Sequence, residues 1–273
     1  MSDNAPVNAG RLRQSVARWC FGDIPANRFY ATLQELGVVG VDLADESEWD
    51  TAQHYGITPC MIMGGGSFGP PPIGSDRMFG GAIGWNDPAN HAALIESMQL
   101  QIAKAAQNGL PAIIGLFGDR QGRDDETGIA HCVAGISQVV PLLEQHGVML
   151  ALELLNSRVD HPDYQGDNSA FGVEVCRRLG SANVKLVYDA YHMQIMEGNL
   201  ISTLRQNIDY IGHIHVAGVP GRHEIDERQE VNWRAVATAI ADLGFSGYVG
   251  HEWIPTGSDP LADLARAVAT LTV

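Results

Sequence analysis

Short runs rich in Val, Ile, Leu and aromatic residues alternate along the chain with longer segments in which apolar positions recur every three or four residues. The first kind has the character of buried strands and the second of amphipathic helices, and their regular alternation marks repeated βα units around a parallel sheet. Eight units can be counted. The strands fall at about 14–20, 38–44, 58–63, 112–117, 148–154, 184–190, 211–217 and 248–254, and the helices at about 25–36, 46–55, 88–108, 125–146, 169–179, 197–207, 232–243 and 259–270. Gly37, Gly109, Gly147, Gly180 and Gly244 each follow a helical segment, where a left-handed cap is wanted. Asp87 and Asp259 each precede a proline that suits the first turn of a helix.

Eight units in 273 residues predict a single (β/α)8 TIM barrel over 11–273, after a flexible tail at 1–10; an open doubly wound sheet is the alternative. A barrel of this kind has its active site at the C-terminal ends of the strands. The longest irregular stretch, 64–87, is rich in Gly and Pro and follows the third strand, the place of either a binding loop or a disordered insertion. Gly64 to Gly69 has the glycine spacing of a dinucleotide fingerprint, and from Gly65 also that of a nucleophile elbow. Both motifs need a helix to start on them, and Pro70, Pro71 and Pro72 follow instead, so neither applies.

The charge balance narrows the partners. With 17 Lys and Arg against 32 Asp and Glu, a net −15, the chain repels a phosphate backbone and an anionic membrane surface, which argues against both as partners. No run approaches the roughly 18 apolar residues of a membrane span. The first residues have neither the positive start nor the apolar stretch of a secretory signal. Cys20, Cys60, Cys132 and Cys176 are too dispersed for a zinc knuckle or a disulfide framework, so free thiols in a cytoplasmic protein are expected. Lys104 and Lys185 are the only lysines, one in the third helix and one at the start of the sixth strand. Neither suits a Schiff-base aldolase or a pyridoxal-phosphate enzyme, which needs a lysine in its site.

Four strands of the C-terminal half carry ionisable residues where the chain should be buried: Glu153, Asp189, His213 with His215, and Glu252. Strands of a parallel barrel are covered on both faces, and a lone buried charge is costly. Each residue alone could be a satisfied core group. Three carboxylates and a histidine at the ends of four successive strands would converge on one spot, which only a cation makes tolerable. His213 and His215 share a face, and His215, nearer the rim, is the better ligand. Oxygen ligands with one imidazole suit Mg²⁺ or Mn²⁺, with Co²⁺ a further candidate, better than a structural zinc. Arg222, in the loop after the seventh strand, either offsets the remaining negative charge, holds a substrate oxygen, or is simply solvated.

The runs Leu186 to Gly198 (LVYDAYHMQIMEG), Ile211 to His215 (IGHIH) and Gly218 to Glu224 (GVPGRHE) resemble the hydroxypyruvate isomerase family of the xylose isomerase-like TIM barrels. The likeness is strong over about 148–256 and elsewhere extends only to the βα rhythm. It implies a divalent metal held by Glu153, Asp189, His215 and Glu252. It also implies that His192 and Arg222 contact substrate oxygens, as their counterparts do in related ketose epimerases. Glu153 and Glu252 would be the acid/base pair of an aldose–ketose isomerisation through a metal-stabilised enediolate, acting on a small hydroxy-carbonyl compound of carbohydrate metabolism.

A ketose 3-epimerase is the alternative, and an inosose dehydratase-like lyase a further one. The chain departs from the family pattern in two places: His215 stands where hydroxypyruvate isomerases commonly carry Gln, as in ketose 3-epimerases, and the segment after Glu153, with Arg158 and His161, is unusual. A DNA-repair endonuclease on the same scaffold would need more histidines and a basic groove. A homo-oligomer is compatible with the sequence.

Overall fold

The computed structural model describes residues 10–75 and 78–273; the expected tail therefore lies, apart from Gly10, outside the described residues. In chain order the elements are β1 (Arg13–Ala17), α1 (Ala26–Glu35), β2 (Gly40–Asp42), α2 (Trp49–His54), β3 (Thr58–Gly65), β4 (Ser67–Phe68), β5 (Ala82–Ile83), α3 (His91–Asn108), β6 (Ala112–Leu116), α4 (Asp125–Ile136), α5 (Val140–His146), β7 (Met149–Glu153), α6 (Ser169–Leu179), β8 (Val184–Asp189), α7 (Ala190–Met196), α8 (Leu200–Asn207), β9 (Ile211–Val216), α9 (Trp233–Asp242), β10 (Tyr248–His251) and α10 (Pro260–Leu271). Eight of the strands form a closed barrel in the order β1, β10, β9, β8, β7, β6, β3, β2. This is the TIM barrel that the alternating pattern predicts. Among the described residues, no helix is long and apolar enough to cross a membrane.

Contacts group the chain into two compact units, one made of 10–61, Leu200–Ile208 and Ile214–Val273, the other of Ile62–Asn199 and Asp209–His213. In the first, β1 pairs in parallel with β10 and β2, and β2 with β3. Its core includes Val16, Val41, Met61 and Val249, with Phe21 packed against Phe29 and Trp253 at 5.7 and 5.2 Å between ring centres. In the second, β7 pairs in parallel with β6 and β8 around Ile113, Leu150, Leu152 and Leu186. Each of these fully buried aliphatic side chains stabilises the fold by roughly 1.5–3 kcal/mol. Glycine is needed at Gly115, because a Cβ there would lie 2.8 Å from Leu150.

Several boundaries differ from the expected ones, three of them for a clear local reason. The first strand ends at Ala17 rather than at 20, because Arg18 turns its guanidinium back to the carbonyls of Phe21 and Ile24 and winds Arg18–Phe21 into a 3₁₀ turn. The single helix expected over 125–146 is two: Pro141, in the first turn of α5, offers no N–H and crowds the carbonyl four residues before it, so the helix must restart. Helix begins directly after Asp189 rather than at 197, since Asp189 caps it, and Gly198 and Asn199 in left-handed conformations separate α7 from α8. The last strand stops at His251, leaving Glu252 just beyond it.

The stretch 64–87 is more ordered than a loop. Strand β3 runs to Gly65, and β4 pairs antiparallel with β5, Ser67 opposite Ile83 and Phe68 opposite Ala82. No helix starts on Gly64 to Gly69, as the prolines dictate. All five glycines expected as helix stops take positive φ, from 64° at Gly180 to 74° at Gly37.

Candidate metal centre

The first unit supplies Glu252, His215 and Arg222. Glu252 is 4% exposed, and its backbone N–H donates to Val216 in β9 at 3.0 Å. Its Oε1 accepts from Nε1 of Trp19 at 3.0 Å, and its Oε2 accepts from Nη2 of Arg222 at 2.5 Å and lies 3.2 Å from Nδ1 of His215. Burial pushes the Glu252 carboxyl up, but His215 and Arg222 outweigh it, and the Trp19 hydrogen bond adds to them. Glu252 is thus held well below the ordinary carboxylate range and is an anion at neutral pH. Arg222 is not the solvated loop residue that was one expectation for it: it is 8% exposed and sits at φ 58°, with its carbonyl accepting from Ile254 at 2.8 Å. A non-glycine residue in the left-handed region is strained, and here the result is to point the guanidinium at Glu252.

His215 is fully buried, and on its other side Nε2 lies 3.5 Å from Oδ2 of Asp42. Asp42 ends β2, is 0% exposed, and accepts from Ser15 Oγ and from Cys60 Sγ, each at 2.8 Å. Burial, and the Asp42 charge beside it, push the Cys60 thiol far up, so it remains an S–H donor. Gly250 makes room for this cluster: a Cβ there would fall 2.3 Å from Oδ2 of Asp42 and 2.9 Å from Cδ2 of His215.

The second unit supplies Glu153, Asp189 and His192. Glu153 is 5% exposed at the end of β7, and its carbonyl accepts from the Tyr164 hydroxyl at 2.9 Å, which itself accepts from the Phe117 N–H at 2.8 Å. The phenol thereby ties the end of β7 to the chain just after β6. Asp189 is 1% exposed and divides its oxygens: Oδ1 accepts from the N–H groups of Tyr191 (2.8 Å) and His192 (3.1 Å), while Oδ2 lies 3.5 Å from Nε2 of His192. The backbone N–H of Asn156 donates to Nδ1 of His192 at 3.1 Å. Nδ1 is then an acceptor, so the ring is neutral with its hydrogen on Nε2, the atom that faces Asp189. Asn156 also shapes its own loop, since Oδ1 accepts from Val159 and Asp160, both at 2.9 Å. That turn presents His161, whose ring packs on Phe68 (5.1 Å), Phe79 (6.0 Å) and His192 (5.4 Å). Arg158 is exposed and donates to the carbonyl of Ile195 at 2.7 Å.

Among the described residues, two groups of acidic and imidazole side chains are candidates to hold a cation: Glu153, Asp189, His215 and Glu252, and Asp42, His213 and His215. The first offers three carboxylates and one imidazole, all buried, which is the donor set of a hard divalent ion. Left without a cation, such a concentration of buried negative charge would be expensive. These residues therefore fit the implied metal.

The residues that sequence reasoning missed are Asp42, Trp19, Tyr164 and Asn156. Asp42 had a readable signal, because it is a carboxylate in the strand pattern 38–44 and falls under the same buried-charge rule that found the others. Trp19 and Tyr164 had none; an aromatic residue in a strand or loop is ordinarily core, and only its donor atom reveals the role.

The sequence model described as xylose isomerase-like TIM barrel matches residues 23–272. The chain belongs to that family. Among curated relatives, a 2-oxo-tetronate isomerase of Cupriavidus necator is 39% identical over 109 residues, 40% of this chain and 41% of its own length. The hydroxypyruvate isomerase of Escherichia coli is 31% identical over 126 residues, 46% of this chain and 48% of its own. The chain thus matches less than half the length of either relative. The solved structure of an AP endonuclease, family 2, from Brucella melitensis has a TM-score of 0.77 over 93% of this chain and 98% of its own, at 21% identity, a likeness of fold. In this chain Glu153, Asp189, His215 and Glu252 lie at or next to the C-terminal ends of barrel strands β7, β8, β9 and β10.

Proposed function

We propose that this chain, acting through one barrel domain over 11–273, is a divalent-metal-dependent isomerase of a small hydroxy-carbonyl compound, hydroxypyruvate or a similar short 2-oxo sugar acid. The observation that carries the proposal is the buried set of three carboxylates and one imidazole, Glu153, Asp189, His215 and Glu252, close enough to share an ion. The names of the curated relatives support the same class of reaction.

These four residues would hold Mg²⁺ or Mn²⁺. Such an ion, when bound, draws electron density from neighbouring carbonyl and hydroxyl oxygens and acidifies the carbon-bound hydrogen between them. The chain's own groups then move the proton. Glu252, an anion at neutral pH whose two oxygens are oriented by Trp19 and Arg222, is the carboxylate we assign to accept it. Glu153 is the partner carboxyl that completes the transfer to the neighbouring carbon. The Nε2–H of His192 is a neutral donor for a substrate oxygen, and Arg222 fixes the orientation of Glu252 while adding positive charge beside it.

The test is hydrogen exchange in deuterated water, with protein loaded with Mg²⁺ or Mn²⁺ and offered three- to six-carbon hydroxy-carbonyl compounds. Label at the carbon next to the carbonyl of hydroxypyruvate, with tartronate semialdehyde as product, is the expected result. Glu153→Gln and Glu252→Gln should each lose about 10²–10⁴-fold in rate. Label at carbon 3 of a ketose would replace this reading with an epimerase, and loss of water from a cyclitol with a lyase. No exchange in any compound, or full activity in Glu153→Gln, would sink it.

A further inference from the structure

We propose that Asp42 is a positioning residue for the metal centre, fixing the His215 ring so that Nδ1 is the nitrogen turned toward the ion. The inference rests on the reading of that centre given above. Asp42 is completely buried and belongs to a strand that contributes none of the four ligands. Strands on either side of β2 hold its carboxylate, Ser15 of β1 by Oδ2 and Cys60 of β3 by Oδ1. Both of these donors are neutral, and the same Oδ2 that Ser15 holds lies 3.5 Å from Nε2 of His215. The opposite nitrogen, Nδ1, lies 3.2 Å from Glu252.

The imidazole is therefore bracketed by carboxylates that play different parts. Glu252 would share the proposed ion with His215, whereas Asp42 lies behind the ring, 3.5 Å from Nε2, where it would take the hydrogen that Nε2 must carry when Nδ1 is a ligand. Turning the ring over would put carbon atoms where both carboxylates now meet nitrogens. A carboxylate behind a ligating imidazole also raises its basicity, and losing such a partner typically costs 10–100-fold in metal affinity. Space is reserved for the arrangement: a Cβ at Gly250 would lie 2.3 Å from Asp42, 2.9 Å from the His215 ring and 3.0 Å from Ser15 Oγ.

Metal-free wild type, Asp42→Asn, Ser15→Ala and Glu252→Gln would be titrated with Co²⁺ by calorimetry, with the visible spectrum of each loaded protein and the thermal unfolding of each metal-free protein recorded alongside. Asp42→Asn should bind about 10–100-fold more weakly, with shifted visible bands, while its metal-free form unfolds close to wild type. Ser15→Ala, which frees Oδ2 from one donor, should show a smaller loss in the same direction, and it carries the test if Asp42→Asn does not fold. Wild-type affinity and spectrum in Asp42→Asn, or in Ser15→Ala where Asp42→Asn is insoluble, would overturn the positioning role. Two Co²⁺ per wild-type chain, falling to one in Asp42→Asn, would make Asp42 a ligand with His213 and overturn it in another way. A wild type that binds no Co²⁺ removes the centre and this inference together, whereas binding lost in Glu252→Gln but intact in Asp42→Asn removes this inference alone.

Discussion

Arg222 and Glu252 form a buried ion pair, with Nη2 2.5 Å from Oε2 and side chains 10% and 4% exposed. Removing one member of such a pair leaves the other charged and desolvated, which costs about 3–5 kcal/mol. Arg222→Ala should lower the stability of the metal-free protein by that order in urea unfolding. Arg222→Lys, which keeps the charge but not the planar fork, should recover only part of it.

Glu224 anchors the chain after Glu252. Its carboxylate accepts from Thr256 Oγ1 at 2.8 Å and from the Gly257 N–H at 2.9 Å, with the Thr256 N–H as a further donor. Burial pushes the carboxyl up, but these hydrogen bonds prevail and bring it from 4.5 to about 2. A carboxyl lowered on folding contributes stability that is present above the unfolded value, and this is lost as pH falls from about 4.5 through about 2. Urea midpoints measured between pH 7 and pH 2 should therefore fall less steeply in Glu224→Gln than in wild type, and that variant should already be the weaker one at pH 7.

At Gly250 even a methyl group has no room. Gly250→Ala should destabilise the chain by about 1–3 kcal/mol, the usual range for overpacking, because Asp42 and the His215 ring must both shift. Thermal unfolding measures the loss.

The rings of Phe68 and Phe79 stack at 4.9 Å, and both pack on His161, which meets His192. Phe68→Ala removes an aromatic pairing that contributes about 0.5–1.5 kcal/mol beyond its area. If His192 contacts substrate, the loss should appear as a rise in KM of about 2- to 10-fold with a smaller change in kcat, read from steady-state kinetics.

The barrel and its candidate ligands were legible in the sequence because both leave a mark in the local pattern of the chain. Glu153, Asp189, His215 and Glu252 each stand out as ionisable groups inside apolar strand patterns, and the eight βα units follow from periodicity. What was illegible depends on contacts between distant residues. The early end of the first strand comes from the Arg18 guanidinium and the ordering of 64–87 from β4 pairing with β5, and neither leaves a mark in local composition. The break before Val140 was readable at Pro141 but was overridden by a strong helical period on both sides. Arg222 shows the same division: its presence was visible, but its burial against Glu252 needed the fold.

Asp189 closes a strand and opens a helix, and under the proposed function its remaining oxygen would face the cation, so a single carboxylate would be both a hinge pin of the backbone and a reagent of the site. Folding and chemistry are joined there, and most replacements would damage them together. Asparagine is the exception, because its amide oxygen caps a helix about as well as a carboxylate does while carrying no charge. At this position one atom exchange would separate the architecture of the chain from its proposed affinity for a cation.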